Sequence, residues 1–210
     1  LKQLKRQEKA DYFERVQWLD KLSLLLLLFI SFSSYSQVEE LKKKYPKQQG
    51  KERVLTLLDL CYYLAASDNT EAIRYGKMAE VEAQEIGDSA LIASVWNDWS
   101  IAYFYSGHLD SSLLLNQQAL AYRTQLKDTM GMAKSLNKIA NTYYEMGVHD
   151  KSLEANLTSL KYFKQLNAPQ FLCQVYTNIG NIYDRTNKVE KGLEYHTLAI
   201  KEAKQYNNQP

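Results

Sequence analysis

The sequence is periodic, with a repeat length of 40. The stretch NKIANTYYEMGVHDKSLEANLTSL (137–160) has one counterpart a period earlier, NDWSIAYFYSGHLDSSLLLNQQAL (97–120), and another a period later, TNIGNIYDRTNKVEKGLEYHTLAI (177–200). A fainter copy, LLDLCYYLAASDNTEAIRYGKMAE (57–80), stands one period before these. A fixed period of this size marks stacked supersecondary units, none of which can bury its apolar face alone. Each unit reads as two amphipathic helices on either side of a tight polar turn. The expected fold class is therefore all-α, a solenoid of about four antiparallel helix pairs.

Particular positions recur with the period. Tyr63, Tyr103, Tyr143 and Tyr183 are spaced by 40 and read as one large side chain per unit. Three places before them stand Leu60, Ser100, Ala140 and Gly180. In the second helices Ala72, Ser112, Ser152 and Gly192, and then Ala79, Ala119, Ser159 and Ala199, keep two positions small. Small residues at fixed places let helix axes approach closely. Gly107, Gly147 and Asn187 sit where first helices end, as a left-handed cap prefers. Thr70, Asp110, Asp150 and Glu190 begin the second helices, the acids complementing the helix N-terminus. Asp88, Asp128 and the Ala168-Pro169 pair open the following units as caps and first-turn proline. Ile86, Leu126, Leu166 and Tyr206 are expected to close each second helix on an apolar contact.

This pattern resembles the tetratricopeptide repeat. The large–small–Tyr run of that family appears as Ile139-Ala140-x-x-Tyr143 and Ile179-Gly180-x-x-Tyr183, followed in the first case by Gly147, Ser152 and Ser159. The resemblance implies a right-handed α-solenoid and covers residues 49–208 as units 49–88, 89–128, 129–168 and 169–208, after a lead-in helix at 37–48. Two departures stand out. The period is 40 rather than the common 34, and the family's second-helix aromatic is replaced by Gly76, Asn116, Asn156 and His196.

Ahead of the repeats, residues 1–36 read as a leader. Leu22 to Phe32 is almost unbroken apolar sequence, about half of what a transmembrane helix needs. Lys21 before it and Ser34-Tyr35-Ser36 after it fit a secretory signal with Gln37 as the mature N-terminus. The expected location is exported: periplasmic, or membrane-anchored and facing the periplasm. Of 26 basic and 24 acidic residues the leader holds six and four, which leaves the remainder formally neutral. A neutral array lacks the basic footprint of a nucleic-acid or anionic-membrane binder.

No catalytic constellation is legible. His108, His149 and His196 have no second His or Cys at ligand spacing, so neither a metal nor another cofactor is expected. Cys61 and Cys173, in the first helices of the first and last units, read as free buried thiols. Glu80, Glu82 and Glu85 read as a solvated face. The chain is expected not to be an enzyme.

In the tetratricopeptide family the first helices line a concave groove that holds a peptide or partner segment. By that resemblance the peptide-binding residues are Asn97 and Ile101 in the second unit, Asn137, Lys138 and Asn141 in the third, and Thr177, Asn178 and Asn181 in the fourth, with Tyr105 and Arg185 one turn on. Each Asn side chain can both donate to and accept from an extended backbone. The plainer reading of the same residues is a solvated helix face. The expected function is a protein- or peptide-binding scaffold, in the sensor part of a longer bacterial signalling protein with a histidine kinase or helix-turn-helix output. The last unit closes without a polar capping helix, which favours a longer protein. The alternatives are a free-standing exported adaptor, or the non-catalytic module of an enzyme that continues beyond residue 210.

Overall fold

The structure is a computed structural model that describes residues 35–207. The apolar block from Leu22 to Phe32, read above as an export signal, lies outside the described residues. Helix α1 (35–44) gives way to a 3-10 turn at Tyr45–Lys47 that contains Pro46, whose missing N–H and fixed φ stop the helix short of the expected end at 48. The helices that follow are α2 (Gly50–Leu64), α3 (Asn69–Ile86), α4 (Ser89–Tyr105), α5 (Leu109–Gln125), α6 (Thr129–Glu145), α7 (His149–Gln165), α8 (Pro169–Arg185) and α9 (Val189–Asn207). No strand occurs among the described residues. Each first helix packs on its own second helix, each second helix packs on the next first helix, and the first helices also touch one another along the stack. That connectivity makes an all-α solenoid.

The turns form where the sequence placed them. Gly107, Gly147 and Asn187 adopt left-handed φ values of 77°, 75° and 56°. After each of them the next N–H closes back on the repeated tyrosine carbonyl: His108 on Tyr103, Val148 on Tyr143 and Lys188 on Tyr183. Asp88 caps α4 by accepting from the N–H groups of Ala90 and Leu91 at 2.9 and 3.0 Å, and Asp128 caps α6 by accepting from Gly131 N–H at 2.8 Å. Pro169 occupies the first turn of α8. The small positions are buried as expected: Ser152 and Ser159 donate to the carbonyls of Ala140 and Ala133, so their hydroxyls are satisfied by the neighbouring helix.

Two expectations need correction. Ile86, Leu126, Leu166 and Tyr206 are 39–49 % exposed rather than closing the helices on a core contact, because they stand at or beyond the last turn and point past the packed layer. In the first unit the register is off by one. Through the middle of α4 the buried run is interrupted by Ser94, Asp98 and Ile101, and in α2 by Leu55, Asp59 and Tyr62. Helix α2 thus matches α4 at a spacing of 39, and Tyr63 takes the place of Ala102. Helix α2 is two residues shorter than α4 and its turn at 65–67 one residue longer than the turn at 106–107, a net of one fewer, so α3 and α5 stand 40 apart.

Asp128 links two units. Its second carboxylate oxygen pairs with Arg123, whose guanidinium also donates to Ser94 at 2.8 Å. Burial pushes the Asp128 carboxyl up, but the Gly131 N–H together with Arg123 and Lys134 outweighs it, so the carboxyl sits below the usual range. A depressed carboxyl stabilises the fold at pH values above its unfolded pKa of about 3.9, and that contribution disappears as pH falls through the lower folded value. Asp128→Asn should therefore lower stability at neutral pH and flatten the acid limb of a urea-unfolding pH series. An unchanged acid limb would remove the argument.

Candidate functional site: a groove between the first helices

The repeat period, read on the folded chain, sorts the first helices into rows. Ser94, Lys134 and Gln174 form one; Asp98, Lys138 and Asn178 a second; Ile101, Asn141 and Asn181 a third; Tyr105, Glu145 and Arg185 a fourth. Leu55, Asp59 and Tyr62 of α2 extend the first three. None of these side chains is buried. Their spacing of three or four residues keeps them on one face. Bonds across the stack bring adjacent rungs together: Lys138 Nζ lies 3.1 Å from Asp98 Oδ1 and donates to Asn97 O at 2.6 Å, and Asn178 donates to Asn141 at 2.8 Å. Arg185 donates to the Tyr144 hydroxyl at 3.2 Å.

A pocket of about 350 Å³ opens along this face. At one end Tyr62, Ile101, Phe104 and Tyr105 line it; at the other, Phe163, Phe171 and Val175. Between them Asn137, Asn141 and Thr142 form a polar floor, and among the described residues Lys134 and Lys138 are the only charged ones lining it. The Lys134 ammonium lies 5.2 Å from the centre of the Phe171 ring. A second pocket of about 210 Å³ continues beside it, between Phe104, Asn141, Tyr144, Asn178 and Asn181. Toward the start of the stack, burial and the neighbouring Asp98 raise the Asp59 carboxyl above its ordinary range.

The residues expected to bind a peptide divide into two sets. Ile101, Lys138, Asn141, Asn178, Asn181 and Arg185 lie on the groove rows. Asn97, Asn137 and Thr177 form a different row, turned into the repeat. Asn97 is 4 % exposed, donates to Asn116 at 2.8 Å and accepts from Ser135 at 2.7 Å. Asn137 is 8 % exposed and donates to Asn156 at 3.3 Å, although its edge reaches the pocket floor. Thr177 returns its hydroxyl to the Cys173 carbonyl, a bond within its own helix. Buried amides need partners, and the second helices supply them at the position where the family pattern lacks its aromatic. In the first unit that position is Gly76, and the Trp99 indole of the next helix fills the space, since a Cβ there would collide with it. In the fourth unit it is His196, which packs on Gly180 and meets Asp184 at 2.9 Å.

Sequence reasoning missed Lys134 and Gln174, one turn before Lys138 and Asn178, and the aromatic walls Tyr62, Phe104 and Phe171. The lysine and glutamine were accessible through the period itself. Tyr62 was hidden by the one-residue slip in α2.

Among the described residues no group of three His, Cys, Asp or Glu could hold a metal. Both cysteines are free; burial and Asp98 push the Cys61 thiol up to about 12, which keeps it protonated and unreactive. Among the described residues no helix is long and apolar enough to cross a membrane.

No protein-family model and no curated protein matches the sequence. Solved structures do share the fold. The crystal structure of MamA is similar with a TM-score of 0.57 at 21 % identity, over 82 % of this chain and 90 % of that one. Aspartyl phosphate phosphatase F from Bacillus subtilis is similar with a TM-score of 0.73 at 14 % identity, over 84 % of this chain, which spans half of that protein. The TPR-like repeats of a kinesin light chain from Podosopora anserina give 0.66 at 12 % identity, over 85 % of this chain and 91 % of that one. At these identities the likeness is one of fold: a TPR-like helical solenoid.

Proposed function

We propose that this chain is a non-catalytic scaffold that holds a segment of a partner protein in the first-helix groove. The observation that carries the reading is the continuity of the rows: the same face of α4, α6 and α8 stays uncovered in register and opens on one pocket. Asn181 and Gln174 are exposed and make no side-chain hydrogen bond among the described residues, so their amides are free to pair with a peptide backbone. Interaction in such a groove needs no conformational chemistry, only preorganised donors and apolar anchor sites.

The test is a peptide array probed with the 210-residue chain and with its Asn141→Ala, Asn181→Ala double variant. Capture of the best peptides should weaken in the variant about tenfold, at two lost hydrogen bonds of roughly 1 kcal/mol each or less, with helicity unchanged. Equal capture by both proteins removes the groove from the account.

The apolar block at Leu22–Phe32 supports a finer placement, in the extracytoplasmic sensor part of a bacterial signalling protein whose output is a histidine kinase or a helix-turn-helix domain. Intact-mass measurement of the protein from its native host should then find Gln37 at the N-terminus. A soluble cytoplasmic product with the leader intact would contradict it.

A further inference from the structure

The groove is not uniform along its length, and its chemistry selects among peptides. We infer that its occupant is an extended, acidic segment bearing two bulky apolar side chains six residues apart, with a carboxylate between them. The inference rests on the groove reading above and adds a pattern to it.

The two ends of the pocket supply the anchors. Tyr62 and Tyr105 are each 60 % exposed, and with Ile101 and Phe104 they form one apolar, aromatic wall. Phe171, above the buried Phe163 and beside Val175, forms the other. Clustered exposed aromatics around a pocket are the usual seats of binding anchors. Neighbouring helices pack with axes about 8–10 Å apart. The α4 side chains of the first wall, Ile101, Phe104 and Tyr105, are separated from the α8 wall by two such steps, α4 to α6 to α8, about 16–20 Å. An extended chain advances about 3.3 Å per residue with side chains alternating in direction. About six residues cover the gap, and an even number returns the second anchor to the same face.

The middle of the pocket fixes the charge. Lys134 and Lys138 are the only charged residues lining it among the described residues. Lys138 is already shared between Asp98 and a backbone carbonyl. Lys134 is exposed and rests on the face of Phe171; Asp128 is near enough to feel its charge, but Lys134 makes no ion pair among the described residues. A carboxylate placed between the anchors gives that ammonium a partner at the edge of an aromatic surface, where water is partly excluded and the pairing is stronger than in bulk solvent. The asparagine and threonine floor then pairs with the peptide backbone rather than with side chains.

The experiment uses the full 210-residue chain and a fluorescein-labelled peptide of nine residues: Phe at the second and eighth positions, Asp at the fourth and sixth, Ser elsewhere. Fluorescence anisotropy should show binding that weakens at least tenfold when either Phe is replaced by Ala. Moving the second Phe one residue closer should weaken binding by a similar factor. Lys134→Glu should reduce affinity for this peptide and raise it for the version with Lys in place of Asp, a reversal that loss of folding cannot produce. Equal affinity for the parent and the Ala or shifted peptides overturns the anchor pattern. So does an unreversed preference in Lys134→Glu, or tighter binding of a thymidine oligonucleotide than of any peptide. If the pattern fails while array peptides of other sequence remain dependent on Asn141 and Asn181, the groove reading stands without it. If that dependence also fails, both fall.

Discussion

Phe163→Ala should destabilise the array by about 3–5 kcal/mol, the range for truncating a fully buried aromatic side chain. Phe163 is 1 % exposed and stacks on Phe171 with ring centres 4.6 Å apart, so it joins the third unit to the fourth. In a solenoid each unit contacts mainly its neighbours, and stability is close to a sum of unit and interface contributions. Loss at this one joint should therefore uncouple α8 and α9 before the rest. Urea unfolding followed by circular dichroism should shift to a lower midpoint and broaden, with the fluorescence of Trp96 and Trp99 in α4 changing late. A single sharp transition at the original midpoint would contradict the packing described here.

The second large effect lies in the buried amides. Asn116 is 1 % exposed and accepts from Asn97 Nδ2 at 2.8 Å and Ser100 Oγ at 2.9 Å. Asn116→Leu removes that acceptor and leaves the Asn97 amide buried without it, a loss of roughly 2–3 kcal/mol. The Ser100 hydroxyl suffers less, because the Asn97 carbonyl lies 2.8 Å away as an alternative. Asn97→Leu combined with Asn116→Leu should cost less than the two separate changes together, by about 1 kcal/mol or more, because the double variant leaves no widowed partner between them. The equivalent Asn156→Leu should be milder. Its bond from Asn137 is longer, at 3.3 Å, and Asn137 touches the open pocket. Equal losses at Asn116 and Asn156 in denaturant titrations would mean that the amide pairing is not the source of the effect.

Those amides also show where reading the sequence stops. The helix pairs, their order and the left-handed turns at Gly107, Gly147 and Asn187 follow from periodicity and local chemistry, which act over short stretches of chain. The orientation of Asn97 and Asn137 does not. A polar residue one place from the groove row looks like a groove residue until its partner is known, and the partners Asn116 and Asn156 stand on another helix. The clue was present as a second recurrence at the repeat period, asparagines at 97 and 137 matched by asparagines at 116 and 156, with neither member in the last unit. Trp99 over Gly76 is the same lesson in volume: a large residue on one helix occupies the space left by a glycine on another. The slip at Tyr63 is hidden because α2 ends two residues early and its turn is one residue longer, which brings the second helices back to a spacing of 40. Of the site, the rows through Lys138, Asn141, Asn178, Asn181 and Arg185 were legible from the resemblance; the aromatic ends and Lys134 required the helices to be placed side by side.

The end of the array has a related geometry. Leu153 and Leu160 of α7 are covered by α8, whereas their counterparts on α9, Leu193 and Ile200, are 67 % and 57 % exposed. The groove and this terminal face are separate surfaces, so partner binding at one can be told from contact at the other by labelling side chains.

The most direct measurement is carbene footprinting of the 210-residue chain with and without a saturating peptide taken from the array. On binding, Tyr62, Tyr105, Lys134 and Asn181 should lose labelling, while Leu114, Leu157 and Ile200 on the second helices keep theirs. Protection confined to the second helices, with the first-helix rows labelled as before, would contradict the groove as the binding face.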